Sequence, residues 1–196
     1  KVNLANNSQN GGVAALDRLV NIENITGTTG NDTLIGDSAA NTLVGNGGND
    51  TLQGMGGNDV LIAASGNVTL DGGTGNDTLV GGTGINTMIG GSGLNTLSGN
   101  ASGVNIAYYQ AETSAITVNL NTGTAYGGSG SDVLSNIHVV VGGTGNDLIV
   151  GDVNASNTLT GGGGTDTLQG GVQADTFIGT GGHDTVSYAN TAGPMT

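Results

Sequence analysis

The sequence predicts an all-β fold, a right-handed parallel β-solenoid wound from nine-residue repeats with two repeats in each coil. Three observations predict it. A phrase close to Gly-Thr-Gly-Asn-Asp-Thr-Leu-Val-Gly runs in register from Gly27 to Ser98 and returns from Gly142, Gly161, Gly170 and Gly179. An apolar residue stands at the eighth place of each repeat. Forty-one glycines among 196 residues are phased on the same period. A fixed period of this kind sets the architecture before any local propensity does. A flexible linker can be as rich in glycine, but it lacks the phasing.

Along the chain, residues 1–26 read as longer-strand coils that open a first copy of the solenoid (1–98), with nonapeptide coils at 27–98. Residues 99–141 are richer in β-branched residues and read as longer strands in wider coils. They open a second copy (99–196), with nonapeptide coils at 142–196. The duplication shows in the residues. LVNIENITGTTGNDTLIGD from Leu19 aligns with LSNIHVVVGGTGNDLIVGD from Leu134, and the Val-Asn-Leu at Val2 returns at Val118. DTVSYANTAGPMT from Asp184 resembles GVNIAYYQAETSAIT from Gly103. Adjacent coils of a solenoid share one core, so a single folding unit is expected.

Within a repeat, six residues form a glycine-rich turn and three form a strand. Position eight, from Leu34 and Leu43 through Met88 and Ile149 to Phe177 and Val186, faces inward. Position seven, usually threonine, faces outward, because side chains alternate along a strand. Stacked coils pair as parallel strands ~4.8 Å apart, which gives about eleven coils in a rod on the order of 50 Å long.

Position six carries the chemistry. It is Asp32, Asp50, Asp59, Asp77, Asp147, Asp166, Asp175 and Asp184. Residues eighteen apart stack, so Asp32 lies over Asp50, Asp59 over Asp77 and Asp166 over Asp184. Asp147 meets Asp166 across one extra residue. Two carboxylates one coil apart repel by roughly 1 kcal/mol in water, and by several times that in a drier turn. A cation between them is required. Glycines at positions one, two and four let backbone carbonyls aim at the same point. The position-one set is Gly27, Gly45, Gly54, Gly72, Gly142, Gly161 and Gly179. Oxygen ligands alone, in a tolerant cage, favour Ca2+ over Mg2+. Asn41, Asn86, Asn95 and Asn157 at position six suit a turn or amide ladder. Val68 cannot ligate, and the run from Ile85 to Asn95 is expected to be metal-poor.

The charge excludes other partners. Fifteen acids against two bases leave a net charge of −13, the opposite of the basic footprint that nucleic acid requires. No apolar stretch approaches the ~18 residues of a membrane span. His138, in an apolar strand, and His183, at a turn, are isolated from any nucleophile–base arrangement. Glu23 and Glu112 show no pairing for glycoside chemistry. The four tyrosines read as packing residues or as covers for coil ends. No enzyme activity is expected.

These repeats resemble the RTX family of secreted proteins, whose nonapeptides form calcium-bound β-rolls. The resemblance implies folding on calcium outside the cell and export by type I secretion. The leading expectation is an extracellular structural segment such as a fibre, stalk or surface layer. The alternatives are the secretion and folding domain of an exoenzyme, and an ice-binding solenoid using Thr29/Asn31, Thr74/Asn76 and Thr144/Asn146. Joining Thr196 to Lys1 gives GPMTKVNL, close to SAITVNL around Val118. Copies are therefore expected to stack end to end by self-association or in tandem.

Overall fold

Threonine followed by leucine suits a short, half-buried strand, and the glycine-rich hexapeptide between such pairs turns the chain back. In the computed structural model, which describes residues 1–189 apart from 7, 9 and 16, this alternation gives twenty strands. The first are β1 (Val2–Asn3), β2 (Asn24–Thr26), β3 (Thr33–Ile35), β4 (Thr42–Val44), β5 (Thr51–Gln53) and β6 (Val60–Ile62). The solenoid continues through β7 (Val68–Asp71), β8 (Thr78–Val80), β9 (Ile85–Ile89), β10 (Gly93–Ser98) and β11 (Val104–Tyr108). Three strands then break the pattern, β12 (Ile116–Asn119), β13 (Thr124–Gly127) and β14 (Gly130–Ser135). It resumes with β15 (Val139–Val141), β16 (Leu148–Val150), β17 (Thr158–Thr160), β18 (Thr167–Gln169), β19 (Thr176–Ile178) and β20 (Thr185–Ser187).

The strands form two sheets. Odd-numbered strands from β1 to β11 continue directly into β15, β17 and β19, while β2 to β10 continue through β14, β13 and β12 into β16, β18 and β20. The nonapeptide pairings are parallel and set one coil apart: Leu34 pairs with Leu52, Leu52 with Leu70 and Leu70 with Met88. On the other sheet Leu43 pairs with Leu61, Leu61 with Leu79 and Leu79 with Leu97. Each position-eight residue thus stacks on its copy in the next coil. From Leu34 to Leu168 these residues are buried, while Phe177 is partly buried and Val186 exposed.

Two expectations need correction. Residues 99–141 do not simply widen the coils. β14 lies parallel on β10, but β13 runs antiparallel to both β14 and β12, and β16 resumes parallel pairing on β12. The cause is local: Gly127 pairs with Gly130, leaving Gly128-Ser129 as a two-residue hairpin loop with φ of 55° at Gly128. The two additional strands lengthen one sheet by about 10 Å relative to the other. The described residues of 1–26 form no long strands either. They hold the two-residue β1, a short 3-10 helix (Gly12–Ala14) and β2. Residues 190–196, on which the Thr196–Lys1 closure depends, lie outside the described residues.

Candidate functional site

The position-six side chains form two stacks, one on each side of the solenoid, and most of the aspartates reach back to the preceding coil. The backbone N–H of Asp32 donates to Asp50 Oδ1 at 2.8 Å, that of Asn41 to Asp59 at 2.7 Å and that of Asp59 to Asp77 at 2.8 Å. In the second half, Asp147 N–H donates to Asp166 at 2.8 Å, Asp166 N–H to Asp184 at 3.0 Å and Asn157 N–H to Asp175 at 2.9 Å. One carboxylate oxygen is thereby used by the fold.

The other oxygen distinguishes the sites. Oδ2 of Asp50, Asp59, Asp77 and Asp166 is buried without a hydrogen-bond partner. Such an orphan costs the full desolvation of its group. Elsewhere Oδ2 has a donor: Asp32 accepts from Thr28 N–H at 2.6 Å, Asp147 from Gly143 N–H at 2.9 Å and Asp175 from Gly171 N–H at 2.8 Å.

The position-one glycines line the same spot. A Cβ at Gly27 would lie 2.8 Å from both Asp32 Oδ2 and the Gly45 carbonyl oxygen, and one at Gly45 would lie 2.5 Å from Asp50 Oδ2. A Cβ at Gly54 would meet Asp59 Oδ2 and stand 2.6 Å from the Gly72 carbonyl. One at Gly72 would stand 2.7 Å from the Gly90 carbonyl, and one at Gly142 would stand 2.7 Å from Asp147 Oδ2. Gly161 and Gly179 hold the same relation to Asp166 and Asp184. The chain contains its own control. Ala63 is the one alanine at position one of these repeats, and it belongs to the one repeat with an apolar residue, Val68, at position six.

Electrostatics mark these carboxylates as well. Burial pushes the Asp59 carboxyl up to about 6. The Asn41 N–H opposes that rise, while the charges of Asp77 and Asp37 add to it. Burial likewise raises Asp50, Asp77, Asp147 and Asp166 against the pull of one or more backbone N–H donors. Buried, like-charged and partly unbonded, these oxygens fit a hard cation held jointly by carboxylates and carbonyls. Among the described residues no three His, Cys, Asp or Glu side chains converge into a side-chain-only metal cluster, so the carbonyls are essential to such a site.

At Asn86 and Asn95 the amide does what a cation would do. Asn86 Nδ2 donates to the carbonyls of Gly82 and Gly84 at 2.7 and 3.4 Å and to Asn105 Oδ1 at 3.1 Å. Asn95 Nδ2 donates to the Gly91 carbonyl at 3.4 Å and to Asp132 Oδ1 at 2.9 Å.

Two features were missed by reading the sequence. Position-five asparagines reach forward, with Asn31 Oδ1 accepting from Asn49 N–H, Asn49 from Asn67 and Asn58 from Asn76 at 2.8–3.0 Å. Their recurrence was the available signal, and this commitment argues against a water-facing ice array. Asp132 was overlooked although GGSGSDVLS from Gly127 is itself a nonapeptide. It stacks on Asn95 and accepts from Tyr109 Oη at 2.9 Å. His138 sits one residue before β15 rather than within a strand, and His183 lies in an exposed turn.

No helix among the described residues is long and apolar enough to cross a membrane. Comparison with curated protein sequences finds no match. The family profile of the RTX calcium-binding nonapeptide repeat matches residues 21–52, 35–70, 53–88, 71–102, 139–155 and 153–186, more than half of the chain. Stacked nonapeptides with orphaned carboxylate oxygens at position six and this match lead to one conclusion: the chain belongs to the RTX calcium-binding repeat family, as a structural and non-catalytic calcium-binding β-solenoid.

Proposed function

We propose that this solenoid is an extracellular structural segment that folds on calcium, is exported by type I secretion and stacks end to end. The observation that carries the reading is the buried, partnerless Oδ2 of Asp50, Asp59, Asp77 and Asp166. The proposed ligands are the carboxylates of Asp32, Asp50, Asp59, Asp77, Asp147, Asp166, Asp175 and Asp184, with carbonyls from the turns that hold Gly27, Gly45, Gly54, Gly72, Gly142, Gly161 and Gly179. Bound calcium supplies the positive charge that lets opposed carboxylates stack. The chain's residues supply the rest: position-one glycines leave the space, the N–H of the preceding coil fixes every one of these carboxylates except Asp32, and Thr28 N–H of its own turn fixes Asp32. Both copies fold as one unit in this reading, since both sheets continue across the boundary between residues 98 and 99, β9 pairing with β11 and β10 with β14.

The test is circular dichroism during calcium titration and chelation. Because calcium binds the folded state, β-structure is expected to appear with calcium and to be lost in chelator. A chain equally folded and equally heat-stable in both would refute the reading.

A further inference from the structure

Residues 17–26 and 132–141 are one motif in two settings. Asp17, Leu19, Asn21, Ile22 and Ile25 stand where Asp132, Leu134, Asn136, Ile137 and Val140 stand. Asn21 and Asn136 share the same left-handed φ of 52°. The neighbouring register also repeats: Val2 pairs with Leu34 as Val118 pairs with Ile149. Leu4 N–H donates to the Ile35 carbonyl at 2.9 Å, as Leu120 N–H does to Val150 at 2.8 Å.

The settings differ in what covers them. In the second, β14 lies on β10 and β15 on β11, and Ile137 is 4% exposed. In the first, residues 17–23 form no strand, and Ile22 is 41% exposed and Val20 51%. A matching cover exists at the far end of the same chain. Asp175-Thr176-Phe177-Ile178 corresponds to Asn95-Thr96-Leu97-Ser98, and the segment from Asp184 to Tyr188 corresponds to that from Asn105 to Tyr109. Among the described residues, β19 and β20 each pair on one side, and Ile178 and Val186 are 40% exposed.

We propose that the β19–β20 edge of one copy receives residues 17–26 of a second copy, rebuilding between chains the junction that β10 and β11 make internally with β14 and β15. This deepens the stacking reading above and rests on it. The sheets match in the joined form. β19 would continue through residues 17–20 toward β1 and β3, and β20 would pair with β2, so each sheet runs on into itself. Tyr188 would meet Asp17 as Tyr109 meets Asp132. The contact is heterologous and propagates rather than closing on two copies. One substitution changes its chemistry: Asp175 replaces Asn95, so Asp17 faces a carboxylate instead of an amide. A cation is required there.

Val133 pairs with Thr96 across the internal junction, which places Arg18 of one copy opposite Thr176 of another. The chain has no cysteine, so Arg18→Cys with Thr176→Cys reports this contact cleanly. In calcium and mild oxidant the double variant is expected to give a ladder of covalent multimers. Either single variant, or the double variant carrying Ile22→Asp, is expected to give none. Circular dichroism of the same samples separates the two ideas. A folded double variant that stays monomeric overturns the docking alone, whereas one that remains unfolded in calcium overturns the calcium reading together with the docking. Ladders in chelator with β-structure retained would keep the docking and remove its cation.

Discussion

The coils between Gly27 and Val80 and the coils between Gly81 and Ser98 close the same turn with different chemistry. In the first group, carboxylates at Asp50, Asp59 and Asp77 leave buried oxygens without partners beside carbonyls of the next coil. In the second, the amides of Asn86 and Asn95 donate to the carbonyls of their own turns and to the next side chain in the stack. The backbone scarcely changes: Gly75 and Gly84, at position four of successive repeats, have φ of 129° and 100°. Between these residues, one atom per side chain separates a turn with a buried, partnerless oxygen from a turn that carries its own donors, whereas the amide Nδ2 of Asn41 and Asn157 is buried without a partner. The repeat from Ala63 is a third solution, with Val68 removing the polar group and Ala63 filling the space.

Converting one class into the other is the strongest way to break this comparison. Asn86→Asp removes the donors to Gly82, Gly84 and Asn105 and places a charge where the side chain is fully buried. An uncompensated buried charge costs about 3–5 kcal/mol. Thermal melts are expected to show a loss of that order in chelator and a clearly smaller one in calcium. Equal losses in both would mean that this stack cannot host a cation, and that the classes differ in more than position six.

Protons should substitute for calcium in the aspartate coils and leave the asparagine coils untouched. The carboxyls of Asp50, Asp59, Asp77, Asp147 and Asp166 are raised by burial, Asp59 to about 6 from 3.8. The folded state therefore binds protons that the unfolded chain releases. Stability of the metal-free chain falls as pH rises through the unfolded value and then the folded one, and increases on acidification. Melts in chelator are expected to shift upward between about pH 8 and about pH 5, with calcium affinity falling over the same interval. A flat or opposite profile would show that these carboxylates are not destabilising in the metal-free fold.

Much of this comparison was legible in the sequence because it is periodic. The spacing of Leu34, Leu43 and Leu52 dictated an inward face, and an eighteen-residue coil dictated that Asp59 meets Asp77. Pairing direction was not legible. Alternating residues over 116–135 suit parallel or antiparallel neighbours equally, and the hairpin at Gly128-Ser129 chooses the second. That hairpin also disguised GGSGSDVLS as a departure from the repeat, which hid Asp132. The roles of adjacent turn residues were only half visible: Asn31 and Asp32 hydrogen-bond across coils in opposite directions, and an outward position in the repeat does not disclose that. The pairing of Ala63 with Val68 is plain in the sequence, but its meaning needs the distance from a position-one Cβ to a position-six carboxylate.

The smallest effect sharpens the comparison at position two, where six of the turns share a left-handed backbone whatever their chemistry. Gly73, Gly91 and Gly162 have φ of 96°, 83° and 104°, while Asn46, Met55 and Ala64 adopt 70°, 78° and 63° with side chains attached. A left-handed conformation costs an ordinary residue about 1–2 kcal/mol, and glycine returns about 0.5–1 kcal/mol of that as chain entropy. Met55 is half exposed, so Met55→Gly is expected to stabilise the fold by up to about 1 kcal/mol. Asn46 is different. Asparagine tolerates this region, and its Nδ2 donates to the Gly27 carbonyl at 2.8 Å. Asn46→Gly is therefore expected to be neutral or destabilising. Denaturant unfolding of both variants in saturating calcium separates the two outcomes. A gain at Asn46 matching that at Met55 would show that the amide bond to Gly27 contributes nothing to the turn.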